Sequence, residues 1–503
     1  MSFDYESDAS EGGLFREIPF WRKSREQYGS WDDLGDAPTY EFLRTPHNLR
    51  EIESYNQHLI LWRDNHTLTF VCPGDSNDQP AGVFSYLCLV FYDRGPTMFI
   101  TGDSDEAIAE TAAFFIDLVE PTQELSPFSV ISINNEDFDF CSVGTARWAR
   151  LLEEAPACKI LVEGVMLSAE QSVVLATRPH RIELTFFNCS IEDGGTAFTD
   201  ALVHRTTPFG SLKFQLSTEF TDENLERIIQ VNVLDHLELP GLGNDELELR
   251  TFSAPVDSFE GLLYISSPDS SFESLNIVAR KLAIRINGDV DAFPTQAVIS
   301  FFRRLATVRH FVALKIRFTF IDYDEIPDIV VEELIRAALA NHDLKELDLF
   351  TIEDDMTWDS HFVVLFDGLK DHPKLERLKI MVDSHEEAFG PDYVHLRKLI
   401  TYNRNIAVTD DEGYAYTDGP RIDALYELSW FYCDSVRLGA EPTSIRSLLV
   451  VTALVECTSH DFQRSALLLA HHADALCELV QSVNETDGNS ALLQSVQDQK
   501  RIR

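Results

Sequence analysis

No two of the eight cysteines stand close enough to pair in sequence: Cys72, Cys88, Cys141, Cys158, Cys189, Cys433, Cys457 and Cys477 form no CxxC motif. Neither a structural zinc site nor a disulfide framework is expected from such scatter. Reduced thiols in apolar runs account for it. No run approaches the roughly 18 apolar residues that a membrane span requires. The opening stretch, MSFDYESDASEGG, has no apolar core of a secretory signal, so the sequons at Asn65, Asn188 and Asn484 read as chance matches. An intracellular chain, cytoplasmic or nuclear, is expected. Basic residues are also scarce. There are 41 Lys and Arg against 84 Asp and Glu, a formal net charge of −43 over 503 residues. That balance repels nucleic acid and anionic membranes, and it suits a basic protein partner.

Signatures of catalysis are missing too. The sequence holds no Walker loop, no GxGxxG after a strand, no GxSxG, no HExxH and no EF-hand loop. A non-enzymatic chain without cofactor or metal is the expectation. His471 and His472 are adjacent on one predicted helix and so should point to different sides, which argues against a shared metal. Asp410, Asp411, Glu412 and Asp418 do not have calcium-loop spacing and read as a solvated loop. The Asn287 to Phe293 segment, NGDVDAF, reads as a strand-to-helix turn.

What is present is a phrase: apolar, two variable residues, apolar, one variable residue, apolar. It occurs at Phe128, Ile131 and Ile133, at Phe209, Leu212 and Phe214, and at Leu234, Leu237 and Leu239. It returns at Phe311, Leu314 and Ile316, at Leu344, Leu347 and Leu349, and at Leu375, Leu378 and Ile380. The middle residues define anchors at Ile131, Ile160, Leu184, Leu212 and Leu237, then at Leu282, Leu314, Leu347 and Leu378, in steps of 24 to 33 residues where the register is clear. A fixed period of this size marks a repeat architecture, in which each unit is completed by its neighbours. Helical segments follow the later strands. Pro294 opens one with Val298, Phe301, Phe302 and Leu305 inward, and Pro327 opens another with Val331, Leu334, Ile335, Ala338 and Leu339 inward. Ser360 should cap a third carrying Phe362, Val363, Phe366 and Leu369, and Pro391 should open a fourth with Val394, Leu399 and Ile400. Between Leu239 and Leu282 the register stays open, because LELRTF, LLYISS and LNIVA compete for the strand.

The segment LTFFNCSIEDGG, with Leu184, Phe186, Cys189, Ile191 and Gly195, resembles the repeat of leucine-rich repeat proteins of the ribonuclease-inhibitor type. Ile160, Val162, Val165 and Leu167 repeat its spacing. The resemblance covers about 280 residues, but most repeats lack the Asn or Cys that follows the strand. It implies an α/β horseshoe solenoid with parallel strands on the concave face and helices on the convex face, and it implies no particular function.

The expected organisation has five parts. Residues 1–50 form an acidic, loosely ordered arm. Residues 51–125 form a β-meander followed by a helix from Ser104 or Asp105, a cap on the first repeat. The solenoid runs over 126–408. An acidic loop and three helical runs form a C-terminal cap over 409–483, and 484–503 is a polar tail.

Residues between the core positions of each strand point to the opposite face. In the C-terminal half, around Leu282, Leu314 and Leu378, six of them are basic and form a stripe: Lys281, Arg285, Lys315, Arg317, Arg377 and Lys379. They are the candidate binding residues on the concave side. They would receive an acidic segment, from a protein partner or from the chain's own arm or 409–418 loop. Alternatively they pair with Glu346, Asp348 and nearby acids. The leading functional expectation is a protein–protein interaction scaffold. A ubiquitin-ligase adaptor would need a helical recruiting module near residues 14–50, and none is recognisable. A GTPase activator would need a catalytic Arg near the first repeats, where Arg147 and Arg150 stand.

Overall fold

The computed structural model describes residues 13–18, 39–53, 55, 59–72, 86–91, 95–118, 128–133, 140–153, 158–216, 218–288, 292–320, 326–351, 356, 358–382, 384–457 and 461–486. The rest of the expected arm (1–12 and 19–38), Asp289 to Asp291 of the expected turn, and 487–503 of the tail lie outside the described residues. Strands alternate with helices in an α/β fold whose strand pairings are mostly parallel. The chain divides into two compact units, Met1–Ser266 with Ser274–Asn287, and Ser267–Glu273 with Gly288–Arg503. No helix among the described residues is long and apolar enough to cross a membrane.

In the first unit, six strands pair in parallel and in chain order: Cys158–Glu163, Ile182–Phe187, Gly210–Gln215, Leu234–Glu238, Ser258–Tyr264 and Lys281–Asn287. Their registers align Ile160, Leu184, Leu212, Leu237, Phe259 and Leu282 in one row. All six side chains are buried. The reason is the two-residue period of a strand: alternate side chains enter the core, and parallel pairing stacks them, the register shift between Gly210 and Ser211 falling ahead of Leu212. Phenylalanine fills much of this core. Phe186 stacks on Phe214 and meets Phe198 edge-on.

The open register is settled by Phe259. The LELRTF segment is the helix Asp245–Thr251, and LNIVA forms no strand, although Leu275, Ile277 and Ala279 are buried. A single strand, Ser258–Tyr264, fills the gap. The phrase reading placed it poorly because its glycine, Gly261, stands where an apolar residue was sought.

Two features of the LTFFNCSIEDGG segment have direct physical causes. The Cys189 thiol donates to the Val162 carbonyl of the preceding strand at 3.0 Å, so it ties consecutive repeats. Gly195 takes φ +81°, and a Cβ there would lie 2.2 Å from the Phe220 ring. No other residue fits both the backbone and the neighbour.

The N-terminal part of this unit departs from the expectation in three ways. Leu59–Arg63, Thr67–Cys72, Thr97–Gly102, Tyr86–Phe91 and Phe128–Ile133 are antiparallel neighbours in that order, so the meander is reordered. Phe15–Glu17 and Thr39–Phe42 pair as antiparallel strands, and the latter joins Leu59–Arg63. The described parts of the expected arm are thus part of the sheet. Finally, Phe128–Ile133 pairs with Cys158–Glu163 so that Val130, not Ile131, faces the core beside Val162. Ile131 instead packs on the opposite face against an apolar cluster that includes Phe70, Tyr86, Cys88 and Phe99. FSVISI is apolar at both registers, and its antiparallel neighbour decides between them. The helix Asp105–Asp117 begins where expected, with Ser104 accepting from the Ala107 amide and acids in its first turn.

In the second unit, Ala313–Phe318, Glu346–Asp348, Arg377–Lys379 and Ala407–Thr409 are parallel neighbours, with Leu314, Leu347, Leu378 and Val408 in one buried row. Pro294 and Pro327 precede the helices Thr295–Val308 and Asp328–Ala340, which bury Val298, Phe301, Phe302 and Leu305, and Val331, Leu334 and Ala338. Ile335 and Leu339 are half-buried. The two later helices shift by part of a turn. A 3-10 turn, Asp359–His361, comes before Phe362–Leu369, so Ser360 is not its cap and Leu365 is buried in place of Val363. Pro391 likewise opens a 3-10 turn before Val394–Tyr402, leaving Val394 exposed and Leu396 buried.

Each helix C-terminus leaves carbonyls without helical partners, and a buried polar residue takes them up. Asn341 donates to Leu305 O and Ala337 O at 3.1 and 2.8 Å, and accepts from the Phe311 amide at 3.2 Å. His372 Nε2 lies 3.1 Å from both Ala338 O and Asn341 O. Its Nδ1 faces the Leu375 amide at 2.9 Å. Carbonyls only accept and amides only donate, so the ring is neutral with its proton on Nε2. Asn403 then donates to His372 O at 3.1 Å. Replacing Asn341 by Ala removes the side-chain partner of the Ala337 carbonyl and the Phe311 amide and one of two donors to the Leu305 carbonyl. It should cost about 2–4 kcal/mol in urea denaturation.

Burial holds the His372 imidazole below its ordinary value, against the two carbonyls that favour its charged form. The unfolded chain therefore takes the proton first. The contribution of His372 is complete above about pH 6.5 and is lost as pH falls through the depressed folded value. His372→Asn places a carboxamide where the neighbouring repeats carry one. Its melting temperature should stay within about 2 °C of the parent at pH 8 and show a flatter decline toward pH 5.

Candidate functional site

The candidate residues lie on the sheet faces turned away from the buried rows. In the first unit, one row runs Lys159, Glu183, Ser211, His236, Ser258, Lys281 across neighbouring strands, and the next runs Leu161, Thr185, Lys213, Glu238, Glu260, Ala283. Glu183 bridges Lys213 at 2.8 Å and Lys159 at 3.4 Å. Burial raises the Glu183 carboxyl, but the two lysines more than offset it and leave it low. For Glu238, Gln215, Lys213 and Arg285 favour the charged form but do not offset burial. Glu238 stands beside Glu260 and accepts from Gln215 at 2.7 Å, and burial first and Glu260 second keep its carboxyl above the usual range. His236 holds the Ser258 hydroxyl at 2.9 Å, and burial, then Lys213, lowers its imidazole.

Of the two candidates in this unit, Lys281 is tied to Asp257 at 3.1 Å. Arg285 is exposed, lies opposite Leu262 in register, and favours the charged form of Glu238. Lys281 and Arg285 thus share this face with Lys159 and Lys213, both of which pair with Glu183. The other strands of the unit carry Glu163, Glu183, Glu238 and Glu260 on this face, outside the C-terminal half whose outward residues are named from sequence.

In the second unit, Lys315, Asp348, Lys379 and Thr409 form one row, and Ala313, Glu346, Arg377 and Ala407 form the row beside it. Arg377 pairs with Glu346 at 3.3 Å. Asp348 is 9% exposed, and its carboxylate accepts the Phe350 amide at 3.0 Å. It sits between Lys315 and Lys379 in register. Arg317 is half-buried, with its Nε enclosed and without a hydrogen bond among the described residues. Four bases meet two acids on this face. The expectation that some of them pair locally holds for Lys281 and Arg377. Neither Arg317 nor Lys379 forms an ion pair with the described residues.

The acidic 409–418 loop folds onto the last strand as a hairpin. Thr409 bridges Ala415, and the Tyr416 hydroxyl donates to Ile380 O at 3.1 Å. Its carboxylates serve backbone amides: Asp410 accepts from Tyr414 at 2.8 Å and Asp418 from Ile422 at 3.0 Å. No grouping of three or more metal-binding side chains occurs among the described residues.

The C-terminal helices number four among the described residues, not three, because the last expected run breaks at His472. The break also corrects the histidine reading. His471 Nδ1 and His472 Nε2 converge on the Ser435 hydroxyl at 3.0 and 3.3 Å. Ser435 is 1% exposed, so this cluster is enclosed. Arg147 pairs with Asp117 at 3.4 Å.

The raised Glu238 carboxyl gives a signed prediction. Its folded form keeps the proton longer than the unfolded chain does, so its stabilising share is present in acid and is lost as pH rises through the folded value. Glu238→Gln keeps an acceptor for Gln215 and removes the charge. It should raise the melting temperature by up to about 2 °C at pH 7, and the gain should vanish near pH 4.

Neither a protein-family model nor a curated protein matches this chain.

Proposed function

We propose that this chain is a non-enzymatic interaction scaffold, a leucine-rich repeat solenoid of the ribonuclease-inhibitor-like type that binds a protein partner through its sheet face. The excess of bases on the second unit's face carries this reading. Lys315 and Arg317 stand on one strand and Arg377 and Lys379 on another, with Glu346 and Asp348 on the strand hydrogen-bonded between them. Parallel strands hold these side chains at fixed spacing, so little order has to be imposed when a partner docks. Exposed ion pairs contribute only about 0–1 kcal/mol each, so stability does not require the lysine–aspartate–lysine row.

The partner that fits is an acidic segment presented by another protein. Such a segment would be steered by the row and repelled by the rest of a chain with net charge −43, which favours one docking place. Affinity capture followed by mass spectrometry, with the intact chain and with Lys315→Glu/Lys379→Glu, tests this. The double reversal should remove acidic partners from the captured set while the melting temperature moves by less than about 2 °C. Unchanged capture with unchanged melting would show the row to be idle.

A further inference from the structure

Two helices of the second unit, Phe362–Leu369 and Val394–Tyr402, line a cavity of about 360 Å³ to which no residue of the sheet face contributes. Helical spacing explains the lining. Val363, Asp367 and Lys370 recur at i, i+4 and i+7, and His395, Lys398 and Leu399 at i, i+3 and i+4, so each helix turns one such face to the cavity. Phe366 and Leu399 are buried and give it an apolar floor. Val363 and Val364 are 41% and 46% exposed, large apolar side chains that the packing of their own helix leaves uncovered. Apolar walls with a few convergent polar groups are the usual make-up of a ligand pocket, and this volume falls at the small end of the roughly 300–1,000 Å³ that such pockets occupy.

The charged groups are uneven in number. Lys370 Nζ and Lys398 Nζ reach the same oxygen, Asp367 Oδ1, at 2.9 and 2.7 Å. Hydrogen bonds from Lys398 first and Lys370 second pull the Asp367 carboxyl down to about 2, so it is ionised at neutral pH. Two ammoniums on one carboxylate leave a single positive charge at the cavity, in a chain whose net charge is −43. Asp371, next to Lys370 in the chain, is exposed and stands outside the lining. An ammonium carries three donors, so both lysines can bind a further anionic oxygen without leaving Asp367. Both also keep part of their side chains open to solvent, 26% for Lys370 and 51% for Lys398, so a ligand can reach them.

The ligand follows from these two features. One surplus positive charge suits one carboxylate. A phosphate dianion would bring a second negative charge that has no partner there and that the chain as a whole repels. The floor and walls suit a hydrocarbon or aromatic body. We propose that this cavity binds a small monocarboxylate with an apolar body, its carboxylate held by Lys370 and Lys398 and its body laid on Val363, Val364, Phe366 and Leu399. The site lies on helices and does not depend on the scaffold reading of the sheet face.

Ligand-observed NMR titration of the full chain near neutral pH, with phenylbutyrate, its neutral analogue phenylbutanol, acetate and inorganic phosphate, tests this. Phenylbutyrate should bind with a Kd of about 1 mM or tighter, and the other three about tenfold more weakly. Lys370→Gln/Lys398→Gln should weaken phenylbutyrate by about tenfold and leave phenylbutanol unchanged, which separates loss of charge from loss of the cavity. Lys398→Gln alone, at an exposed position, should weaken phenylbutyrate by about threefold and carries the test if the double variant unfolds. Three results overturn the proposal: no binding of phenylbutyrate to the parent chain at about 10 mM, equal affinity for phenylbutyrate and phenylbutanol, or phenylbutyrate binding that Lys398→Gln leaves unchanged. The second would show apolar adhesion without recognition of charge, and the third would place the site elsewhere.

Discussion

The register of parallel strands is the constraint on which each unit depends. One slip would turn Leu184 or Leu347 to the opposite face and bring a charged neighbour into the core. The rows hold because strand pairing is only half of the connection between repeats. Within the second unit, Asn341, His372 and Asn403 donate to carbonyls at the end of one helix or in the preceding repeat, and they accept from the amides of Phe311, Leu375 and Asn405 ahead of neighbouring strands. Apolar burial supplies the driving force and rejects a one-residue slip, but it is indifferent to a shift of two, which keeps the same face inward. Buried hydrogen bonds are not, since an unmatched carbonyl there has no water to turn to.

That division also explains what could be seen in the sequence. The anchors Leu314, Leu347 and Leu378 were legible because the two-residue strand period and the helical period alternate cleanly around them. The same signal misread FSVISI, which is apolar on both faces because both are covered. It left 240–281 open because Gly261 interrupts the pattern within Ser258–Tyr264. The helix starts failed at Ser360 and Pro391 for a local reason: both lie within a 3-10 turn, so the α-helical phase begins later. The polar relay left a trace that went unread. Asn341, His372 and Asn403 each stand three residues before a buried Leu344, Leu375 or Ile406. One histidine among two asparagines hides the equivalence unless the hydrogen-bonding roles are compared.

The six candidate bases illustrate a different limit. Strand alternation correctly assigned Lys315, Lys379 and Arg377 to one face, because that needs only local periodicity. Which of them are neutralised depends on the neighbouring strand, and therefore on the register. Lys281 finds Asp257 and Arg377 finds Glu346, and Asp348 stands between Lys315 and Lys379 in register. Glu238 beside Glu260 is a juxtaposition that no window of the sequence displays, since the two are brought together only when strands align.

The buried rows have a bearing on descent. Their positions are filled by Ile160, Leu184, Leu212, Leu237, Phe259 and Leu282 in one unit, and by Leu314, Leu347, Leu378 and Val408 in the other. Four residue types serve one geometrical role, so substitutions among them leave the architecture standing while erasing the letters by which ancestry is traced. A lineage built on such rows can drift beyond detectable kinship and still fold the same way, with kinship surviving longest in the spacing between its letters.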